Sequence, residues 1–435
     1  MAATKMKTDR SSDGSPDRSP GDSPGESLGG THDPFPVPSL AARIFTITMA
    51  AGYESRIVGG AVRDWLVGRE IGDIDMAVAA PIERVAALLR DHGLKVIDTG
   101  LDHGTVTVVA GDQHLELTQT RVDLATDGRR ATVAFSDDWA EDAARRDFTI
   151  NALYVDAAGR LEDPLGGLAD LDAGILRFVG DAMKRVEEDA LRMLRYCRIL
   201  PHFGQAGTDD EALAALASKA GLAANLSGER IAAELERMLA ATGAGQAVAL
   251  LQETGLAAAA LGVALDAARL TPEIDLAIEK AADADHPAWL VRLAVITPAG
   301  DAPGLAARLR LSRRHGHFLA MLDRDTPAAD VTSLTGDSWQ QAAWWLHRAG
   351  MSPAPALVVA VARGRYAMDM ARLERLAAWQ PPAFPLTGSD LLSQGVDSGP
   401  SLGDMLRAAE QSWVERDFVP TRAELLTFLG FDPAA

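Results

Sequence analysis

Two aspartates separated by a single residue, in Gly72-Asp73-Ile74-Asp75-Met76, have the most direct chemical use of any residues in this sequence. If the segment is a strand, its period of two puts Asp73 and Asp75 on one face and leaves Ile74 to anchor the other in the core. Two carboxylates converging at a strand end can bridge hard cations, which prefer oxygen ligands. A third carboxylate, Glu116, sits in His114-Leu115-Glu116-Leu117-Thr118, where Leu115 and Leu117 face one way and Glu116 and Thr118 the other. On a neighbouring strand it would complete a set able to hold two metals for in-line phosphoryl chemistry. Upstream, Ile57-Val58-Gly59-Gly60-Ala61-Val62-Arg63-Asp64 reads as a strand end, a glycine pair and a helix start. That order offers bare backbone N–H groups to an anion, with Arg63 adding a charge-assisted contact to a phosphate. Taken singly, the aspartate pair reads equally as solvated loop, while the Glu116 segment and the glycine pair read more readily as a solvent-facing strand and an ordinary tight turn.

The elements that must position these residues follow from hydrophobic spacing. Runs rich in Val, Ile and Thr (Ile71–Ala79, Gly104–Val109, His114–Thr120) alternate with a helical stretch, Pro81–His92, which makes residues 38–160 a mixed α/β head. Beyond about 170, Ala, Leu, Arg and Glu recur at helical spacing, as in Ile231–Leu239 and Gln246–Leu251. Pro and Gly clusters near Thr297–Gly304 and Gln380–Gly388 mark seams in an all-helical remainder. Residues 1–37 are rich in Ser, Pro, Gly and Asp, have almost nothing apolar to bury before Phe35, and are predicted to be disordered. His32-Asp33 falls in that tail and reads as a solvated dipeptide, not a metal-ligand pair.

The chain has 435 residues, 47% apolar and 24% charged, a balance that excludes global disorder. A single cysteine, Cys197, excludes an intramolecular disulfide and a Cys-based zinc site, and its apolar helical setting predicts a buried, inert thiol. The longest apolar stretches, Leu256–Leu265 and Ala354–Ala362, are about half what a bilayer span needs. With no signal-peptide core at the N-terminus, the expectation is a soluble, cytoplasmic protein with no membrane and no obligate protein partner. A net charge of −19 argues against a simple electrostatic nucleic-acid binder.

In combination these segments resemble the class II tRNA nucleotidyltransferases, the family of CCA-adding enzymes and bacterial poly(A) polymerases. Arg145-Arg146-Asp147-Phe148-Thr149-Ile150-Asn151-Ala152-Leu153 is similar to the family's RRDFTxNA segment. Asp163-Pro164-Leu165-Gly166-Gly167 with Asp170-Leu171 is similar to its DPxGGxxDL turn. Glu188-Asp189-Ala190-Leu191-Arg192 resembles EDxxR, and Glu229-Arg230-Ile231 with Glu234 the next helix. Gly388-Ser389-Asp390-Leu391 through Gly399-Pro400 to Gly403 is similar to the family's tail, so the resemblance spans about residues 40–425. Around Glu116, Gln119 and Thr120 depart from the commoner Thr-Thr pattern.

The resemblance implies an α+β, polymerase-beta-like nucleotidyltransferase head with a mixed sheet, followed by an all-α neck (161–240), body (241–379) and tail (380–435). It implies that Asp73 and Asp75 bind two Mg2+ ions with Glu116 in support, and that Gly59, Gly60, Arg63 and Arg146 hold the triphosphate. Asp147 and Asn151, four apart and on one face if helical, would contact the ribose. Asp189 and Arg192, at i and i+3 on one helix, would read the base. The implied activity is addition of C, C and A to the tRNA 3′ end from CTP and ATP. The full loop Arg121–Arg130, rich in charge and Gly, favours that activity over partial addition. Poly(A) synthesis is the alternative, and a non-catalytic RNA- or nucleotide-binding protein on the same scaffold the second. The acidic total then becomes a matter of distribution. Arg308, Arg310, Arg313 and Arg314 form a stretch without acidic residues that could follow RNA phosphates, and Lys184, Arg185, Arg192, Arg195 and Arg198 crowd the region of the base reader.

Overall fold

The computed structural model describes residues 33–101, 104–126, 131–135, 137–204, 208–240, 243–323, 333–365 and 367–432, with backbone alone for 122–126, 131–135 and 323. The chain divides into two compact units, one running to Leu226 and including Thr254–Leu256, the other comprising Ser227–Glu253 and the residues from Ala257 onward.

The first unit is built on a seven-stranded sheet in the order β3-β4-β5-β2-β1-β8-β9. Its strands are β1 (Ser55–Val58), β2 (Asp75–Val78), β3 (Lys95–Gly100), β4 (Thr105–Ala110), β5 (Gln113–Gln119), β8 (Tyr154–Val155) and β9 (Leu161–Glu162). The register pairs β2 and β5 in parallel and all other neighbours antiparallel. Alternation explains the faces: in β4 and β5, Val106, Val108, Leu115 and Leu117 are buried while the residues between them are more open. Helices α1 (Ser39–Ala50) and α3 (Ile82–Asp91) send Ile44, Phe45, Val85 and Leu89 into the core. The short helix α2 (Gly60–Leu66) leaves the end of β1, and α4 (Trp139–Ala144) packs Trp139 and Ala143 on Val58, Ala77 and Tyr154. Because Asp75 and Ala77 share a face of β2, α4 covers the sheet directly beside Asp75.

The stretch Arg121–Arg130 begins as β6 (Arg121–Thr126), which pairs with β7 (Ala131–Phe135) in a separate two-stranded sheet, and residues 127–130 lie outside the described residues. So do residues 1–32 of the tail. Packing begins at Phe35, which is buried, donates its backbone N–H to Gly159 O at 3.0 Å and meets Trp65 edge-on at 5.3 Å. After β9 come α5 (Gly167–Asp172), α6 (Ala182–Glu188), α7 (Leu191–Phe203) and α8 (Asp210–Lys219). Cys197 is fully buried on α7, and burial pushes its thiol pKa up, so the thiol stays protonated.

The second unit is helical. It opens with α9 (Gly228–Leu239), capped by Ser227 and burying Ile231, Leu235 and Met238 at three- and four-residue spacing. The division at Leu226 therefore falls inside the stretch assigned to a neck on sequence, because α9 packs onward against Ala288–Ile296. Arg292 of that helix is wholly buried and bonds Asp275 Oδ1 at 2.7 Å, Glu279 Oε1 at 2.5 Å and Leu239 O at 2.8 Å, tying three helices together. The tail helices Pro400–Glu415 and Arg422–Phe428 share a core with Trp344 of Trp339–Arg348, where Trp344 and Trp413 pack edge to face at 5.0 Å. No helix among the described residues is long and apolar enough to cross a membrane.

Candidate active site

The strand expected to carry both aspartates begins only at Asp75. Asp73 sits on the bend before it, with its side chain 84% exposed and its Oδ1 3.8 Å from His114 Nε2. The reason is the sheet: β1 ends opposite Asp75, at Val58, and turns away into α2, so Asp73 has no strand beside it on that side. Ile74 is buried as anticipated. On the other flank Asp75 lies level with Glu116 in the parallel β2/β5 register, which brings the third carboxylate alongside. Asp75 keeps one side open to solvent, and protein crowds the rest. Its pKa is pushed up to about 6, first by desolvation, then by the Glu116 carboxylate and with a contribution from Asp73; the charges of Arg146 and Arg195 hold part of the shift back. Among the described residues, no three or more Asp, Glu, His or Cys side chains close around a common point.

Gly59 caps α2 at φ +80°, a left-handed conformation that favours glycine, and a Cβ there would lie 3.8 Å from Arg146 Nη1. Arg146 thus lies beside the Gly59 turn, and its charge reaches Asp75. Arg63 is turned inward: Nη1 donates to Asn151 Oδ1 at 2.6 Å, Nε and Nη2 donate to Asp64 Oδ1, and the guanidinium lies 4.2 Å over the Phe203 ring.

Asp147 and Asn151 come together, though not on an α-helix. Thr149–Asn151 is a single 3-10 turn, and Asn151 Nδ2 donates to Asp147 Oδ1 at 3.0 Å. Asp147 Oδ2 faces Arg195 Nη2 at 2.7 Å. Burial pushes the Asp147 pKa up, but Arg195, the Asn151 amide and the Phe148 N–H outweigh it and hold the carboxyl below its usual range. The DPxGGxxDL turn explains the placement. Asp163 accepts from Gly167 N and Leu168 N at 2.8 and 2.9 Å, starting α5, and Asp170 Oδ2 accepts from Thr149 Oγ1 at 2.6 Å.

Asp189 and Arg192 are not on one helix. Asp189 is extended (φ −150°, ψ 103°) between α6 and α7, because its Oδ1 accepts the Leu191 N–H at 3.1 Å and so competes with helix continuation. Arg192, in the first turn of α7, is held by Glu188 Oε2 at 2.7 Å, Arg185 O at 3.0 Å and Arg145 O at 3.1 Å. Glu188 also pairs with Arg185, whose Nη2 donates to Arg146 O at 2.6 Å. Two of the arginines expected to form a basic face here, Arg185 and Arg192, are therefore tied into the site, and a third, Arg195, faces Asp147. In the second unit, Arg310 pairs with Glu229 and Arg314 with Asp285, while Arg313 is exposed and Arg308 half-buried. The stretch has no acidic residue of its own, yet the fold supplies two.

The sequence did not single out Asp142, Tyr154, Phe203 or the bridging role of Glu188. Asp142 was within reach, since it lies four residues before Arg146 and α4 runs into that segment. Tyr154 and Phe203 come together with the arginines only in the fold.

Residues 55–177 match the sequence profile of the "Poly A polymerase head domain" family, and residues 209–262 that of a "Probable RNA and SrmB- binding site of polymerase A". The chain is 33% identical to the mitochondrial CCA tRNA nucleotidyltransferase 1 of Danio rerio, over 87% of each chain. It is 33% identical to a CCA-adding enzyme of Levilactobacillus brevis, over 82% of this chain and 88% of that one. Its fold is similar to the crystal structure of the Bacillus stearothermophilus CCA-adding enzyme in complex with CTP, with TM-score 0.70, 30% identity and coverage of 87% of this chain and 92% of that one.

Proposed function

The chain belongs to the family of tRNA nucleotidyltransferases and poly(A) polymerases, and from that premise we propose that it adds C, C and A to tRNA 3′ ends from CTP and ATP, without a nucleic-acid template. The observation that carries this reading is the placement of Asp75 and Glu116 at one level of the sheet, with Arg146 beside the Gly59 turn and its charge reaching Asp75. CCA addition is favoured over polyadenylation because the named relatives match along most of the chain, beyond the head that both activities share.

The carboxylates fit a divalent cation, since Glu116 and Asp73 add to the proton affinity that burial gives Asp75, and a cation would relieve that repulsion as a proton does. Asp73 and Asp75, supported by Glu116, would hold two Mg2+ ions, which when bound favour attack by the RNA 3′-hydroxyl and departure of pyrophosphate. Gly59 and Gly60 offer the triphosphate their backbone, and Arg146 and Arg63 their charge. Asp147 and Asn151, fixed to each other, to Arg195 and to Arg63, face the ribose as one rigid unit. Asp189 accepts from the exocyclic amino group of cytosine or adenine, and Arg192 donates to a ring acceptor. Uracil and guanine place a carbonyl opposite Asp189, leaving two acceptors facing each other, which is a strong basis for rejection. Arg308, Arg310, Arg313 and Arg314 are assigned to the RNA backbone, with Arg310 and Arg314 partly neutralised by Glu229 and Asp285.

With tRNA lacking its 3′ end, labelled CTP alone is expected to give a short C tract, and ATP to be added only once C is present. Long A tracts would replace this reading with poly(A) synthesis, and no incorporation would replace it with RNA or nucleotide binding. Protons and metal compete for Asp75. At subsaturating Mg2+ the CTP incorporation rate is expected to fall as pH drops through about 6, with a midpoint that moves to lower pH as Mg2+ is raised. A midpoint indifferent to Mg2+ removes Asp75 from metal binding.

A further inference from the structure

Beside the site lies a carboxylate that no motif marked. Asp142, on α4, is fully buried. Its Oδ2 accepts from Arg146 Nη2 at 2.9 Å, from Arg146 Nε at 3.3 Å and from the Tyr154 hydroxyl at 2.9 Å, while Oδ1 accepts from Arg145 Nε at 2.8 Å. The Tyr154 hydroxyl in turn accepts from Arg146 Nε at 3.0 Å, and the Arg146 guanidinium lies 5.1 Å from the Tyr154 ring centre. Arg146 Nε and Nη2 are thereby fixed on one edge. Nη1 takes part in none of these bonds and lies 3.8 Å from where a Cβ on Gly59 would stand.

We infer that Asp142 is the positioning residue for triphosphate capture: with Tyr154 it holds the Arg146 guanidinium so that Nη1 is presented beside the Gly59 turn. The inference rests on the nucleotidyltransferase reading and adds to it the residue that aims the phosphate-binding arginine. A guanidinium is a planar fork, so pinning one edge fixes the direction of the remaining donor. Pre-aiming removes the rotamer entropy that a loose arginine loses on binding. Charge supports the same role. Two guanidinium groups, Arg145 and Arg146, share the one Asp142 carboxylate, so this cluster keeps a net positive charge for an anion. Burial pushes the Asp142 pKa up, but Arg146 and Arg145 outweigh it and hold the carboxyl ionised.

The arrangement also separates phosphate capture from base choice. Arg192 donates to the backbone O of Arg145, not to the Asp142 side chain, so a change at Asp142 leaves the base-reading bonds in place.

The test compares wild type, Asp142→Asn and Tyr154→Phe on tRNA lacking its 3′ end, reading KM and kcat for CTP and ATP, inhibition by pyrophosphate, the CTP-to-UTP selection ratio and Tm. Asp142→Asn is expected to raise KM for CTP and ATP alike by about tenfold or more, the scale of one charge-assisted hydrogen bond. Pyrophosphate, which has no base or ribose, should lose affinity by the same factor, with the selection ratio unmoved. Tyr154→Phe keeps the carboxylate and removes one of the Arg146 contacts, so a rise of roughly threefold is expected, and it carries the test if the Asn variant does not fold. A lowered Tm with KM and pyrophosphate inhibition at wild-type values would make Asp142 a purely structural residue and overturn the inference. A wild-type protein that adds no nucleotide would instead overturn the reading on which it rests.

Discussion

Asp75→Asn is expected to abolish incorporation of both C and A and, at neutral pH, to make the protein more heat-stable. The loss follows from the ligand set. An amide oxygen carries no charge to neutralise a cation, and a misplaced two-metal centre gives up several kcal/mol of transition-state stabilisation, about a thousandfold or more in rate. The gain follows from the burial, and after it the repulsion by Glu116, that raise the Asp75 pKa to about 6. A carboxyl with a raised folded-state pKa binds protons better folded than unfolded, so its favourable contribution is complete in acid and is lost as pH rises through that value. Asparagine is spared this loss, and its advantage should shrink as the medium is acidified toward about pH 4, where Asp75 is itself protonated. Melting curves of both proteins in EDTA across that range check the stability half, and single-turnover incorporation checks the rest. Wild-type rates, or a Tm gap that persists unchanged into acid, would remove Asp75 from the centre described here.

Gly167→Ala should damage the same site from behind. A Cβ on Gly167 would stand 2.1 Å from Thr149 O and 2.6 Å from its carbonyl carbon, and neither backbone atom can rotate away as a side-chain end could. Either α5 lifts off or the Thr149–Asn151 turn moves. Overpacking of this kind costs on the order of 3 kcal/mol, and more where backbone must shift. Because Asn151 holds both Asp147 and Arg63, the expected signature is specific: a lowered Tm together with weakened preference for CTP over dCTP. Denaturation midpoints and paired incorporation of the two nucleotides read this out. A variant with wild-type stability and ribose preference would show that the close approach of α5 does not position the turn.

The chemistry of the head was more legible than its geometry. Alternation in His114–Thr118 placed Glu116 correctly, because a half-buried strand records its faces in its own sequence. The DxD strand and the EDxxR helix were drawn too regular. Nothing local says that β1 stops opposite Asp75, since that end is set by where Gly59 turns the chain into α2. Similarly, Asp189 reads as a helical residue until its side chain is seen to take the Leu191 N–H. The arginines show the limit most clearly. Glu229 and Asp285 are distant in sequence from Arg310 and Arg314, so a charge count along the chain overstates what the folded surface offers to RNA.

The single parallel pairing in the seven-stranded sheet bears on when the site comes into being. β2 and β5 are joined through α3 and the β3–β4 hairpin, so Asp75 and Glu116 become neighbours only after that whole excursion has formed and docked. Pairings of such sequence separation close late in folding, after their loop entropy has been met by other contacts. A cation that needs both carboxylates has nothing to grip in a half-folded chain. Metal binding would therefore slow unfolding and leave the folding rate almost untouched, acting as a latch on a finished sheet and not as a seed for it.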